Sequence, residues 1–400
     1  MRSLTDRDTA LCVRFKETFS AAAEGIFSVP GRTELGGNHT DHQHGHVLAA
    51  AVDLDSCAAA ARNGTDTVRI HAEGYAPFKV DLSCLVPLQE ERFTSAALVR
   101  GVAARLNMLG FSMAGKGFDA YIGAGVPAGS GLSSSAAFEV LIGLIFSELF
   151  FGGSIAPEAL AKIGQYAENE FFGKPCGLMD QMACALGGVV AIDFLDSAAP
   201  QAEKIRFDPA AHGYALFIID SGADHADLTC EYAAITDELK AVSRFFGKEQ
   251  LRHVGKAAFS AALPALRREA GDRAVLRAMH FFWEDARAQQ EAAALKKNDM
   301  DAFLSLVRES GRSSAMYLQN IVPTAQVRKQ ELLFTLALAE SILGNEGAVR
   351  VHGGGFGGTA QAFVPLALAE RFQKEIEAVL GKGSCRRLSF RASGARRIDT

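Results

Sequence analysis

Apolar residues alternate, or run unbroken for a few positions, in "GHVLAAAV", "TVRIHAEG", "YALFIIDSG", "AVRVHGGG" and "TAQAFVPL", which predicts strands. "GFDAYIGAGVP" and "GGVVAIDF" read the same way. Helical spacing marks residues 11–20, "FTSAALVRGVAARLNMLG" with Gly110 as its C-cap, and a strongly apolar stretch from near Ser133 to about Phe150. "APEALAKIGQYAENEFFG", "ALAERFQKEIEAVLG" and most of 227–345 are also helical in pattern, and "GLMDQMACALG" begins a further helix. Strands and helices mix in both halves without strict alternation, so the expected class is α+β in two lobes. The loop-like "DSAAPQAEKIRFDPAAHG" places the boundary within 195–215. This gives an N-terminal lobe of 1–205 and a C-terminal lobe of 206–400.

Composition narrows the picture. A chain of 400 residues exceeds what one core usually organises, which supports two lobes. With 48% hydrophobic and 22% charged residues it reads as an ordinary globular protein. A net charge of -5 offers no basic excess for nonspecific nucleic-acid binding. The seven cysteines are scattered without a C-x-x-C pair, as expected for reduced thiols in a cytoplasmic protein. "MRSLTDRDTALCVRF" has no apolar signal region, and "FEVLIGLIFSELFFGG" is short and interrupted by Glu139 and Glu148. No membrane partner is therefore expected, and a monomer is.

Three segments carry chemistry. "GGNHTDHQHGH" holds four of the ten histidines, which raises the question of a metal tract. "GVPAGSGLSSSAAFEV" places Gly125, Gly129 and Gly131 before a helix whose first turn carries Ser133, Ser134 and Ser135. Free amides at such a start suit phosphate, and hydroxyls suit phosphate or a hard cation; the alternative is a glycine turn with a serine-capped helix. No G-K-[ST] follows, so this is not a Walker A loop. "VHGGGFGG" formally contains G-x-G-x-x-G, but a strand pattern follows, so a glycine-rich hairpin pressed on a ligand or another loop fits better. Glu168 and Asp180 stand twelve residues apart; alone, Asp180 reads as a helix N-cap and Glu168 as a surface acid.

Together these segments resemble the galactokinases of the GHMP kinase superfamily. "PGRTELGGNHTDHQHGHVL" (30–48) is similar to the galactokinase signature, and "GVPAGSGLSSSAA" (125–137) to the ATP-phosphate loop. "GKPCGLMDQ" (173–181) is similar to the segment with the catalytic aspartate, and "RVHGGGFGG" (350–358) to the C-terminal glycine motif. Weaker echoes are "IDSGADHADLTCEY", in which Tyr232 follows His225 by the family's seven residues, and "SFRASGA". The resemblance implies a two-lobed GHMP kinase fold with its active site in the cleft between the lobes. It implies transfer of the ATP γ-phosphate to the anomeric hydroxyl of galactose, with Mg2+. Asp180 would be the base, and Arg32 would lower its pKa and stabilise the moving phosphoryl group. Gly125, Gly129, Ser130, Gly131, Leu132, Ser133, Ser134 and Ser135 would hold ATP, and Ser135 with Glu168 the Mg2+. Asn38, His39, Asp41, Gly177 and Tyr232 would hold the sugar, Asp41 by accepting from two adjacent hydroxyls.

The chain departs from the family pattern at several positions. The family's glutamate, which holds the C6 hydroxyl, is Asn38; its asparagine is Glu34, its isoleucine Gly36 and its tyrosine His42. "AAIT" replaces the asparagine and paired arginines after Tyr232. Asn38 opens the C6 contact, and "HTDHQHG" is similar to the pattern of plant galacturonic acid kinases, so galacturonate is an alternative substrate. A non-catalytic sugar and ATP sensor and a histidine-based metalloprotein are the competing classes. His44 and His46 are expected on a surface loop.

Overall fold

The computed structural model describes residues 5–123, 125–126, 131–223, 228–326 and 328–398. Strands β1 (Gly25–Gly36), β2 (His46–Arg62), β3 (Thr67–Ala72), β4 (Phe78–Asp81), β5 (Phe118–Ile122), β6 (Val189–Asp193), β7 (Gln201–Ile205) and β12 (Arg396–Ile398) form the first sheet. Its order is β12-β1-β2-β5-β3-β4, with β6 on β2 and β7 on β6. The 17-residue β2 is long enough for one edge to serve two partners, Ala58–Arg62 pairing with β5 and His46–Ala50 with β6. The second sheet contains β8 (Tyr214–Asp220), β9 (Ala348–His352), β10 (Thr359–Pro365) and β11 (Cys385–Leu388), ordered β11-β8-β10-β9 and antiparallel throughout.

In chain order the helices of the first half are α1 (Asp6–Phe19), α2 (Ser95–Met108), α3 (Ser134–Phe150), α4 (Pro157–Tyr166) and α5 (Met179–Leu186). Those of the second are α6 (Thr229–Phe245), α7 (Lys256–Ala261), α8 (Leu263–Glu269), α9 (Asp272–Lys296), α10 (Met300–Ser313), α11 (Glu331–Leu343) and α12 (Ala369–Leu380). Helix α3 is apolar nearly all round because it is buried nearly all round, within a core of α2–α5 and the first sheet. One face of the second sheet packs against α11 and α12 in a separate core, while Leu216, Ile218, Ala348, Phe363 and Leu388 on its other face join the first core. The class is thus mixed α+β with two sheets, and helices α6–α9 enclose a further core of their own. The expected division at 205/206 falls between β7 and β8. The last strand, β12, crosses back and pairs with β1.

The two sheets meet along a buried polar seam. Gln361 on β10 donates to Thr33 Oγ1 at 2.7 Å and to the Glu34 carbonyl at 2.9 Å. Arg350 on β9 donates to the Leu35 carbonyl at 2.8 Å and forms an ion pair with Glu34. Both members of that pair are almost fully buried. Burial pushes the Glu34 carboxyl up to about 6, even against the pull of Arg350 and Arg32. Beside it, fully buried Glu291 on α9 occupies the space next to Gly36: a Cβ there would lie 1.6 Å from Glu291 Oε2. Burial keeps the Glu291 carboxyl well above the ordinary range, and so neutral. Glutamate at 34 and glycine at 36 are therefore matched to Arg350 and Glu291 across the seam.

Candidate active site

Arg32 lies on β1, where the pairing with β2 shifts register between Pro30 and Arg32. Such an irregularity re-aims the side chain. The Arg32 backbone N–H meets the Leu132 carbonyl at 3.1 Å, and a Cβ on the preceding Gly31 would come within 2.9 Å of the same oxygen. Its guanidinium grips Asp180 with both prongs, Nε to Oδ1 at 2.7 Å and the second to Oδ2 at 2.8 Å. The remaining nitrogen donates to the Gly131 carbonyl at 2.6 Å. Ser133 Oγ also donates to Asp180. Burial opposes charge on Asp180, but Arg32 and these hydrogen bonds outweigh it and hold the carboxyl below its usual value. The Asp180 side chain keeps 33% of its surface while Arg32 keeps 7%. A ligand can therefore reach the acid, and the cation lies behind it.

The same arrangement clears the start of α3. Ser133, in the left-handed region at φ 58°, is the N-cap residue, yet its side chain makes no capping bond. It turns to Asp180 instead, which leaves the helix's first amides for another acceptor. Gly131 has φ 72°, and a Cβ there would meet Thr359 Oγ1 at 2.4 Å. A Cβ on Gly125 would meet the Asp55 carbonyl at 2.2 Å. Leu132 is buried, and Ser134 and Ser135 open the helix. Gly129 and Ser130 lie outside the described residues, as does His225.

Glu168 sits in a π-helical turn, Ala167–Phe172, that extends α4 and ends at Gly173 with φ 89°. Such turns recur at functional positions because they rotate one side chain out of helical register. Glu168 is 3% exposed and accepts from Ser135 Oγ at 3.2 Å and from Gln181 Nε2 at 3.0 Å. Lys174 Nζ stands 3.7 Å from Glu168 Oε1. This set of hard oxygens beside a helix start fits Mg2+ in its chemistry.

The loop 37–44 approaches the turn that precedes Asp180 at Gly177. Asp41 accepts from the His42 N–H at 2.9 Å, and its carboxylate rests against Gly177, where a Cβ would lie 1.8 Å from Oδ2. His39, with φ 59°, places Nε2 3.0 Å from the Gly354 carbonyl. Nε2 must carry the proton there, which leaves Nδ1 as an acceptor. Burial lowers the His39 pKa to about 4, so the ring is neutral. Tyr232 OH donates to the Gly355 carbonyl at 2.9 Å, so it props the hairpin 353–358, which itself presses on the loop 37–44.

Asn38 departs from expectation. Its side chain is fully buried, and its amide nitrogen donates to Glu34 Oε1 at 3.0 Å and to the Gly353 carbonyl at 2.8 Å. Its amide oxygen accepts from Asn320 at 3.0 Å and Ser314 at 3.3 Å. Every polar valence is used inside the protein. Asn38 is a hub of the seam rather than a contact for a sugar. His46, expected on a surface loop, is half-buried on β2 beside Asp285, Asp193 and Arg252, and His44 is also half-buried. Among the described residues no group of three or more His, Cys, Asp or Glu could hold a metal ion. No helix there is long and apolar enough to cross a membrane. The sequence reading missed Gln181 and Glu139, although "MDQ" already set Gln181 beside Asp180.

The chain is similar to several known proteins. Residues 97–188 match the GHMP kinases N terminal domain, and residues 13–62 match the galactokinase galactose-binding signature. A galactokinase of Streptomyces coelicolor is 32% identical over 366 residues, covering 91% of this chain and 90% of its own. The crystal structure of Lactococcus lactis galactokinase complexed with galactose superposes with a TM-score of 0.83 at 25% identity, covering 98% of this chain and 99% of that one. A D-glycero-D-manno-heptose 1-phosphate kinase from Bacteroides thetaiotaomicron shares the fold, with a TM-score of 0.62 at 15% identity over 94% of this chain and 99% of its own.

Proposed function

From the premise that this chain belongs to the galactokinase family, we propose that its cleft transfers the γ-phosphate of ATP to the C1 hydroxyl of galactose, giving α-galactose 1-phosphate and ADP. One observation carries the reading: the Arg32–Asp180–Ser133 cluster stands at a helix start left uncapped by its own serine. ATP phosphates take those amides, with Gly125, Gly129, Ser130, Gly131, Leu132 and Ser133–Ser135 lining them. The sugar lies against Asp41, His39 and Gly177, with Tyr232 supporting from behind the hairpin.

In the reaction the C1 oxygen attacks the γ-phosphorus, the bond to the ADP oxygen breaks, and the hydroxyl proton passes to Asp180. Asp180 is ionised for this because Arg32 and Ser133 hold it so, and it aligns the hydroxyl as well. Arg32 would balance charge on the moving group from behind Asp180, to which it is paired. Ser135 and Glu168 would hold Mg2+, which when bound neutralises phosphate charge.

Galacturonate was suggested by Asn38 and by the likeness of "HTDHQHG" to plant galacturonic acid kinases; the burial of Asn38 removes the first ground, and the second keeps galacturonate as the alternative. Incubation with Mg-ATP and galactose, galacturonate, glucose, talose or N-acetylgalactosamine is expected to release ADP fastest with galactose. Release with no sugar would reject the kinase reading in favour of a sensor. Gly177→Ala is expected to push the Asp41 carboxylate aside and to lower kcat/KM for the sugar on the order of 100-fold, as a displacement of about 1 Å can. Unchanged kinetics in that variant would free Asp41 of its assigned role.

A further inference from the structure

Behind Glu168 lies a second glutamate that the mechanism above does not use. Glu139, on α3, is fully buried, and so is Gln181 on α5. The Gln181 amide nitrogen lies 3.0 Å from Glu139 Oε2 and 3.0 Å from Glu168 Oε2, so its two hydrogens serve one carboxyl each. Cys176 Sγ lies 3.7 Å from the same nitrogen. Helix α4 makes room for the group at Gly164, where a Cβ would meet Glu139 Oε2 at 3.1 Å and Gln181 Cγ at 3.3 Å.

We propose that Gln181 positions Glu168, and that Glu139 locks the Gln181 amide in place from the other side. An amide has a donor end and an acceptor end. Flipping it would turn the Gln181 oxygen toward Glu168 Oε2 and forfeit that bond, whereas a protonated Glu139 can pair with the amide either way. With Oε2 of Glu168 tied to Gln181, Oε1 is the oxygen left toward Ser135 and Lys174. Two buried atoms, Glu139 Oε1 and Gln181 Oε1, have no partner among the described residues. A neutral Glu139 supplies the proton that satisfies both in a closed acid–amide pair, and burial together with the charge of Glu168 favours that neutral form. Because Gln181 follows Asp180 directly on the first turn of α5, one helical turn fixes both the acid at the sugar and the carboxylate at the cation.

The inference rests on the reading that Glu168 takes the divalent cation. It is tested without turnover, by measuring Mn2+ affinity in the presence of ADP by electron paramagnetic resonance. Gln181→Met and Glu139→Met, which keep the side-chain size, are expected to weaken Mn2+ roughly 10–100-fold, as loss of an outer-shell partner does. ADP affinity without metal should be unaltered, and it reports whether each variant is folded. Glu139→Gln can close the same pair amide to amide, and should restore Mn2+ affinity close to that of the unaltered protein. Unchanged Mn2+ affinity in Gln181→Met overturns the proposal, and this variant decides alone if Glu139→Met does not fold. Equal losses in Glu139→Gln and Glu139→Met overturn the lock. Unchanged affinity in Glu168→Ala would instead overturn the cation reading itself.

Discussion

Asp180→Asn is expected to lower kcat by roughly 10²–10⁴-fold, the range for loss of a positioned base, while ATP affinity is largely kept. Asparagine preserves the shape and one acceptor, so with its oxygen at the Oδ2 position Ser133 and the terminal prong of Arg32 retain a partner. It cannot take up a proton, and it leaves the buried Arg32 charge without its counter-ion. A loss at the low end would mean that the carboxylate chiefly aligns the hydroxyl, since a loose phosphoryl-transfer transition state demands little of a base. Steady-state rates with galactose, paired with calorimetric ATP titration, separate these effects. Turnover near that of the unaltered protein would remove Asp180 from the reaction.

The second large effect concerns stability. Arg350→Met is expected to cost about 3–5 kcal/mol, the penalty for stranding one partner of a buried ion pair. Arg350 also holds the Leu35 carbonyl across the seam and the carbonyl of its neighbour Val351, so the variant loses these hydrogen bonds as well. Glu34 already has its pKa raised to about 6 from an ordinary 4.5. A carboxyl raised in the folded state contributes stability that is present below about 4.5 and is lost as pH climbs through 6. Without Arg350 that pKa rises further, so the cost of the substitution should be larger at pH 8 than at pH 5. Urea unfolding at the two pH values checks this, and a cost independent of pH would show that Glu34 is not the stranded group. Adding Glu34→Leu to Arg350→Met should recover much of the loss.

The residues of the candidate site could be picked out because they lie in short local motifs. Arg32, the serines opening α3, and Asp180 twelve residues after Glu168 each sit in such a stretch. The long amphipathic and apolar segments were legible too, as α3, β8 and α12 show. Asn38 was not, because its partners Gly353, Ser314 and Asn320 lie 276 to 315 positions away. No local pattern distinguishes an amide that faces a ligand from one that ties two sheets together. Strand β7 was read as loop because four of its five residues are exposed, which leaves no apolar alternation to detect. Strand β1 contains Pro30 and Gly31 and is buried along its whole length, so it lacks the alternating signature as well.

The return of β12 to β1 has a consequence for how the protein is made. Ser28 pairs with Arg396, a separation of 396 minus 28, or 368 positions. At about 5–20 residues per second on the ribosome, β1 is synthesised roughly 20–70 s before the strand that covers its outer edge. During that interval the strand carrying Arg32 presents unpaired backbone groups, the kind of edge that recruits neighbouring chains. Synthesis thus exposes, for tens of seconds, the strand on which the candidate site is built.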